Sequence, residues 1–265
     1  MKVNMFSAVT ESIDTYRAGR IMARSRYRTA TQDIPSSVYA YWKRTAHLEF
    51  EGIPKSRVFF ARAVEGLLIF FACVRGSGRQ CGLPSAAADS VWHAWAARAP
   101  GSLDRFCLKY FGQVIPHVEE ADMRPQMADA LATCMVQARL QEQRDPVLPS
   151  VPELFALDRK LRMPRGYGYE VAFGAVAVRR LNDSGKPHGQ RRYQNGLDGV
   201  QLLGAGLISQ EMYDQHFKHN ASAGGACGSG TGSSGTSDGG GANCDSGGGD
   251  SGGSCGGGCG GGCGS

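Results

Sequence analysis

From about Asn220 to Ser265 the chain is dominated by glycine and serine, and it closes on Cys255-Gly-Gly-Gly-Cys259-Gly-Gly-Gly-Cys263-Gly-Ser265. Glycine has the most backbone entropy to lose on ordering and no side chain to bury, so such a stretch cannot build a core. The folded body is therefore confined to roughly 220 residues, enough for one or two domains around a real hydrophobic interior. Composition predicts disorder for 221–265.

That tail carries Asp238, Asp245 and Asp250 but no Lys or Arg, so the formal charge of +5 for the whole chain becomes +8 for the body. A mildly basic body without a clustered cationic stripe argues against nucleic acid as a partner. The arginines between Arg17 and Arg28 read as a solvated helix face. Met1 to Glu11 has no apolar run, and Val58 to Val74 is short and interrupted by Arg62 and Glu65. Neither a secretory signal nor a membrane span is expected, and the expected location is cytoplasmic. In that compartment nine cysteines read as thiols or metal ligands before disulfides.

The body reads as mainly α, an irregular helical bundle. Helices are expected from Phe6 to Arg28 and after Ser36-Ser37, the latter capped by serine. The strongest begins after Ser56, where Val58, Phe59, Ala63, Leu67, Phe70, Phe71 and Val74 follow a helical repeat, and ends at Gly76-Ser-Gly78. Pro84-Ser85 opens another, with Asp89 near its amino end; Leu103–Phe111 and Met123–Gln143 follow. Pro146, Pro149 and Pro152 suggest a linker, dividing a helical module at 1–145 from a small helical or mixed subdomain at 146–220. Leu154 to Asp158 reads as a short helix, Tyr167 to Leu181 as either helix or strand, Gly185 to Gly199 as a polar, basic loop, and Ser209 as the cap of a last helix.

One constellation carries chemistry. Asp89 and His93 are four residues apart on one helical face, close enough for the carboxylate to hold the imidazole. Cys107 and His117 follow from the next helix and its loop. Cysteine and histidine are ligands for zinc and copper, and a carboxylate behind a ligating histidine is the usual outer support. His93, Cys107 and His117 are therefore candidate metal ligands, with Asp89 behind them. The bland alternative is a buried Cys107 and a surface hydrogen bond between Asp89 and His93. A Cys107–His catalytic dyad is a third reading, without any accompanying oxyanion element.

Pro84, Ser85, Asp89, Trp92, His93, Phe106, Cys107, Gly112 and His117, with the helix around Leu67 to Phe71, form a block that resembles the glycine-rich domain-containing proteins of plants and bacteria. The resemblance implies a helical module with a glycine-rich end, and little about activity.

In the tail, thiolates suit Cu(I) or zinc, and glycine lets Cys255, Cys259 and Cys263 converge on one ion, with Cys227 or Cys244 as a fourth ligand for zinc. Glycine before Cys259 and Cys263 also removes the steric obstacle to heterocycle formation, a feature similar to azole-containing ribosomal peptides. The expected function is thus a non-enzymatic binding or accessory protein whose tail handles soft metal or thiol chemistry. The alternatives are a precursor or carrier whose tail cysteines a partner enzyme modifies, and a cysteine-dependent enzyme using Cys107 and nearby histidines.

Overall fold

In the computed structural model, residues 2–118 and 126–223 are described. Among them are ten helices and one three-stranded antiparallel sheet. The helices are α1 (Lys2–Arg24), α2 (Arg28–Gln32), α3 (Ser36–Glu49), α4 (Arg57–Ser77), α5 (Ala86–Arg98), α6 (Pro100–Phe111), α7 (Met127–Gln141), α8 (Glu153–Leu161), α9 (Gly199–Gly204) and α10 (Gln210–Ala223). The strands β1 (Tyr167–Ala172), β2 (Ala175–Leu181) and β3 (Pro187–Tyr193) pair in chain order. The predominance of helix agrees with the sequence pattern; the sheet is additional.

The central element is α4. Ser56 caps it, its hydroxyl accepting from the Phe59 N–H at 3.0 Å, and Gly78 ends it in the left-handed conformation at φ 59°. Its buried side is wider than one face: every residue from Gly66 to Phe71 is buried, so the helix is surrounded rather than laid on a core. Helices α1, α5, α7 and α8 pack on it. Gly66 is the close-approach point, because a Cβ there would stand 2.3 Å from Leu157 Cδ2 of α8. Trp42, Phe71, Trp95 and Phe155 are buried in the same core, each contributing about 1.5–3 kcal/mol of transfer free energy. Trp42 Nε1 donates to Ser90 Oγ at 3.0 Å, tying α3 to α5 in the interior.

Chain from both sides of the proline-rich segment enters this core, Leu154, Phe155 and Leu157 included. Residues 1–224 cluster as one unit. Arg139, fully buried on α7, organises the proline-rich segment by donating to the carbonyls of Pro146 and Ser150. Burial pushes its guanidinium down to about 10.

Tyr167–Leu181 resolves into strands. Ala172 faces Ala175, leaving Phe173 and Gly174 as a two-residue loop with φ of 49° and 74°. Two consecutive positive φ angles define the hairpin turn whose twist suits antiparallel strands. Gly185–Gly199, expected as loop, contains β3, an exposed edge strand. Ser36 is the first residue of α3 rather than its cap; Pro35 occupies the cap position. Among the described residues no helix is long and apolar enough to cross a membrane. The expected tail at 221–265 and its cysteines lie, apart from 221–223, outside the described residues.

Candidate metal centre and its pocket

Helix α5 starts where it does because two groups satisfy its first N–H donors. Ser85 Oγ accepts from Ala88 N at 3.2 Å, and the buried Asp158 carboxylate accepts from Ala86 N and Ala87 N, both at 3.0 Å. Asp158 also takes the Ser85 hydroxyl at 2.6 Å and the Tyr167 N–H at 2.9 Å. One carboxylate on α8 thereby joins the start of α5 to the start of β1. Burial raises its pKa, and the four donors pull the other way.

One turn into α5, Asp89 and His93 share a face. His93 Nε2 lies 3.5 Å from Asp89 Oδ1. His117, five residues past the Gly112 cap of α6, brings its Nε2 to 3.2 Å from the same oxygen. The three donor atoms lie within 4.8 Å of one another, and all three side chains are partly buried. In a tetrahedral zinc site with bonds of about 2.0–2.1 Å, neighbouring donor atoms are about 3.3 Å apart. The two separations from Asp89 Oδ1 straddle that value.

The imidazoles are held by their surroundings. His93 Nδ1 is 2.6 Å from Glu49 Oε2, at the end of α3. Glu49 therefore engages Nδ1, and Nε2 is the nitrogen that faces Asp89. Phe50 meets the His93 ring edge-on at 5.8 Å, and Trp92 meets His117 edge-on at 4.6 Å. The two histidine rings are nearly perpendicular, 4.5 Å apart.

Cys107 is not part of this group. Its thiol is buried, burial pushes it up to about 11, and the Ile115 N–H donates to it. That bond fastens the segment after α6 two residues before His117. The expected set of His93, Cys107 and His117 with Asp89 behind is corrected accordingly: Asp89 stands with the two histidines, Glu49 is the carboxylate behind, and Cys107 fixes the chain leading to His117. A raised pKa in a buried thiol is also the reverse of what a cysteine nucleophile requires. Cys255, Cys259 and Cys263 lie outside the described residues. Glu49 escaped the sequence reading because nothing local to α3 marks it; it is 44 residues from His93.

Asp89, His93 and His117 line a cavity of about 470 Å³, whose lining also includes Leu131, Pro164, Arg165, Tyr167, Tyr169 and Arg180. A second cavity of about 360 Å³ also reaches Asp89 and His117 and has Cys81 in its wall. The UCP032817-like family matches residues 56–188, half of the chain and all three members of the cluster. The chain belongs to the UCP032817-like family. That family has no assigned activity. No curated protein and no solved structure matches the chain. Within the family's span fall α4 to α8, β1, β2 and His117, so the matched region contains the three cluster residues and the Asp158 staple, whereas Glu49 precedes it.

Proposed function

We propose that the protein is a metal-binding protein that holds one divalent ion, zinc in the first instance, with Asp89, His93 and His117, and offers the ion's remaining position to a small molecule in the adjoining cavity. The observation that carries this reading is the convergence of three donor atoms within 4.8 Å, with Glu49 engaging the other ring nitrogen of His93. Two imidazoles and a carboxylate form a borderline-to-hard set that suits zinc better than Cu(I). Three protein ligands facing a cavity leave a position open, where a bound ion acts as a Lewis acid.

The expected soft-metal role of Cys255, Cys259 and Cys263 is a separate site in this reading, with a different metal preference. The resemblance to the glycine-rich domain-containing proteins belongs to the same proposal, since Asp89, His93 and His117 are all members of the block that carries it.

The test is elemental analysis of the full chain with Cys227, Cys244, Cys255, Cys259 and Cys263 replaced by serine, so that tail thiols cannot contribute. One equivalent of zinc after purification, lost in Asp89→Ala and His93→Ala, is expected. A metal content unchanged by both substitutions, or none after incubation with zinc, ends the proposal.

A further inference from the structure

The cavity beside the proposed ion contains, among the described residues, three carboxylates (Glu49, Glu51 and Asp89) and two guanidiniums (Arg165 and Arg180). A divalent ion turns that balance from net negative to net positive. The loaded pocket therefore favours an anion.

The two arginines differ in what they already do. Arg165 is neutralised by Glu51 at 2.7 Å and Asp183 at 2.8 Å. Arg180 pairs with no carboxylate among the described residues; it donates to the Arg165 carbonyl at 3.3 Å and lies over the Tyr167 ring, its Cζ 4.2 Å from the centroid. Tyr167 is its direct cross-strand partner, so the stack is built into the register of β1 and β2. Arg180 is exposed, and its guanidinium, oriented by an aromatic face and bonded to one carbonyl, has N–H donors left to take a planar oxyanion. The lining of the same cavity also includes Leu131, Pro164 and Tyr169, which suit a short carbon skeleton, and a volume of about 470 Å³ is of small-molecule size.

Resting on the metal reading, we infer that the pocket takes a small organic acid with two anionic ends, one ligating the ion and the other paired with Arg180. Co(II) in place of zinc makes this measurable, because its visible bands respond to a ligand entering the open position.

The probes are acetate, malonate, succinate and glutarate, titrated into the Co(II)-loaded full chain carrying the five tail cysteines as serine. One diacid is expected to act at concentrations about tenfold below acetate. That advantage should fall to within about twofold in Arg180→Gln, with acetate unaffected, and partly survive in Arg180→Lys, which keeps the charge but not the fork. Co(II) bands that form normally while every diacid behaves like acetate, or an advantage that survives Arg180→Gln, overturns the inference and leaves the metal reading standing. Absence of Co(II) bands, or bands that persist in Asp89→Ala, overturns both.

Discussion

Glu49 Oε2 lies 2.6 Å from His93 Nδ1, across the junction between the end of α3 and the middle of α5. The Glu49 side chain is 60% exposed, so this contact contributes little to folding. Its effect is on the imidazole: it engages Nδ1 and so aims Nε2.

Glu49→Ala should therefore weaken zinc binding by about 10–100-fold while shifting stability by less than about 1 kcal/mol. Competition against a chromophoric chelator measures the first, and urea unfolding the second. Glu49→Gln, which still accepts from Nδ1–H, should fall between the parent and the alanine variant. An alanine variant with parental zinc affinity would show that Glu49 does not support the ligand.

Asp158 is 1% exposed and accepts from Ser85, Ala86, Ala87 and Tyr167. Asp158→Ala leaves four interior donors without acceptors and should destabilise the fold by about 3–5 kcal/mol. Asp158→Asn keeps the volume but turns an NH₂ group toward donors, and should lose about 1–3 kcal/mol. Chemical denaturation separates the two. A loss below about 1 kcal/mol in the alanine variant would mean that water replaces the carboxylate without penalty.

Two glycines with similar backbone angles should respond differently to alanine. At Gly185, φ +69°, a Cβ would sit 2.3 Å from the Arg162 carbonyl carbon and oxygen; at Gly174, φ +74°, it meets open space. Gly174→Ala should cost only the left-handed strain, about 1–2 kcal/mol. Gly185→Ala adds a backbone collision to that strain and should cost clearly more. Equal midpoints in urea would refute the distinction.

The thiols of the body should react in a definite order. Hydrogen bonding from Cys134 lowers the pKa of Cys81, against its burial, with Ser77 Oγ 3.5 Å away adding to the effect. Burial raises Cys107 to about 11 and raises Cys134 as well. Because the thiolate is the nucleophile, Cys81 should be alkylated by iodoacetamide at neutral pH before Cys107 and Cys134. Site-resolved mass spectrometry reads the order, and earlier labelling of Cys107 would contradict it.

Much of the helical framework was legible because its signals are local. Ser56, Ser85 and Ser209 accept from N–H groups three residues ahead, and Gly78 and Gly112 stop their helices in the left-handed region. The hairpin was not legible: Phe173-Gly174 lacks the Asn-Gly or Asp-Gly signature of its turn, and alanines among the valines of 171–178 blur the strand period. The readings of Cys107 as ligand or buried thiol stayed open because a ligating cysteine and one that accepts a backbone N–H look alike in sequence; burial separates them.

The sequence by itself determined a mainly helical body, a tail that cannot form a core, and the pairing of Asp89 with His93, since a four-residue spacing on a helix puts two side chains on one face wherever that helix goes. Tertiary structure alone decided that His117 joins them, that Cys107 does not, that Glu49 arrives from 44 residues away, and that Arg180 shares their cavity. The first group depends on helix periodicity and chain entropy, which act over a few residues. The second depends on how α3 packs on α5 and β1 on α8, where side chains distant in sequence meet because apolar burial brings their elements together.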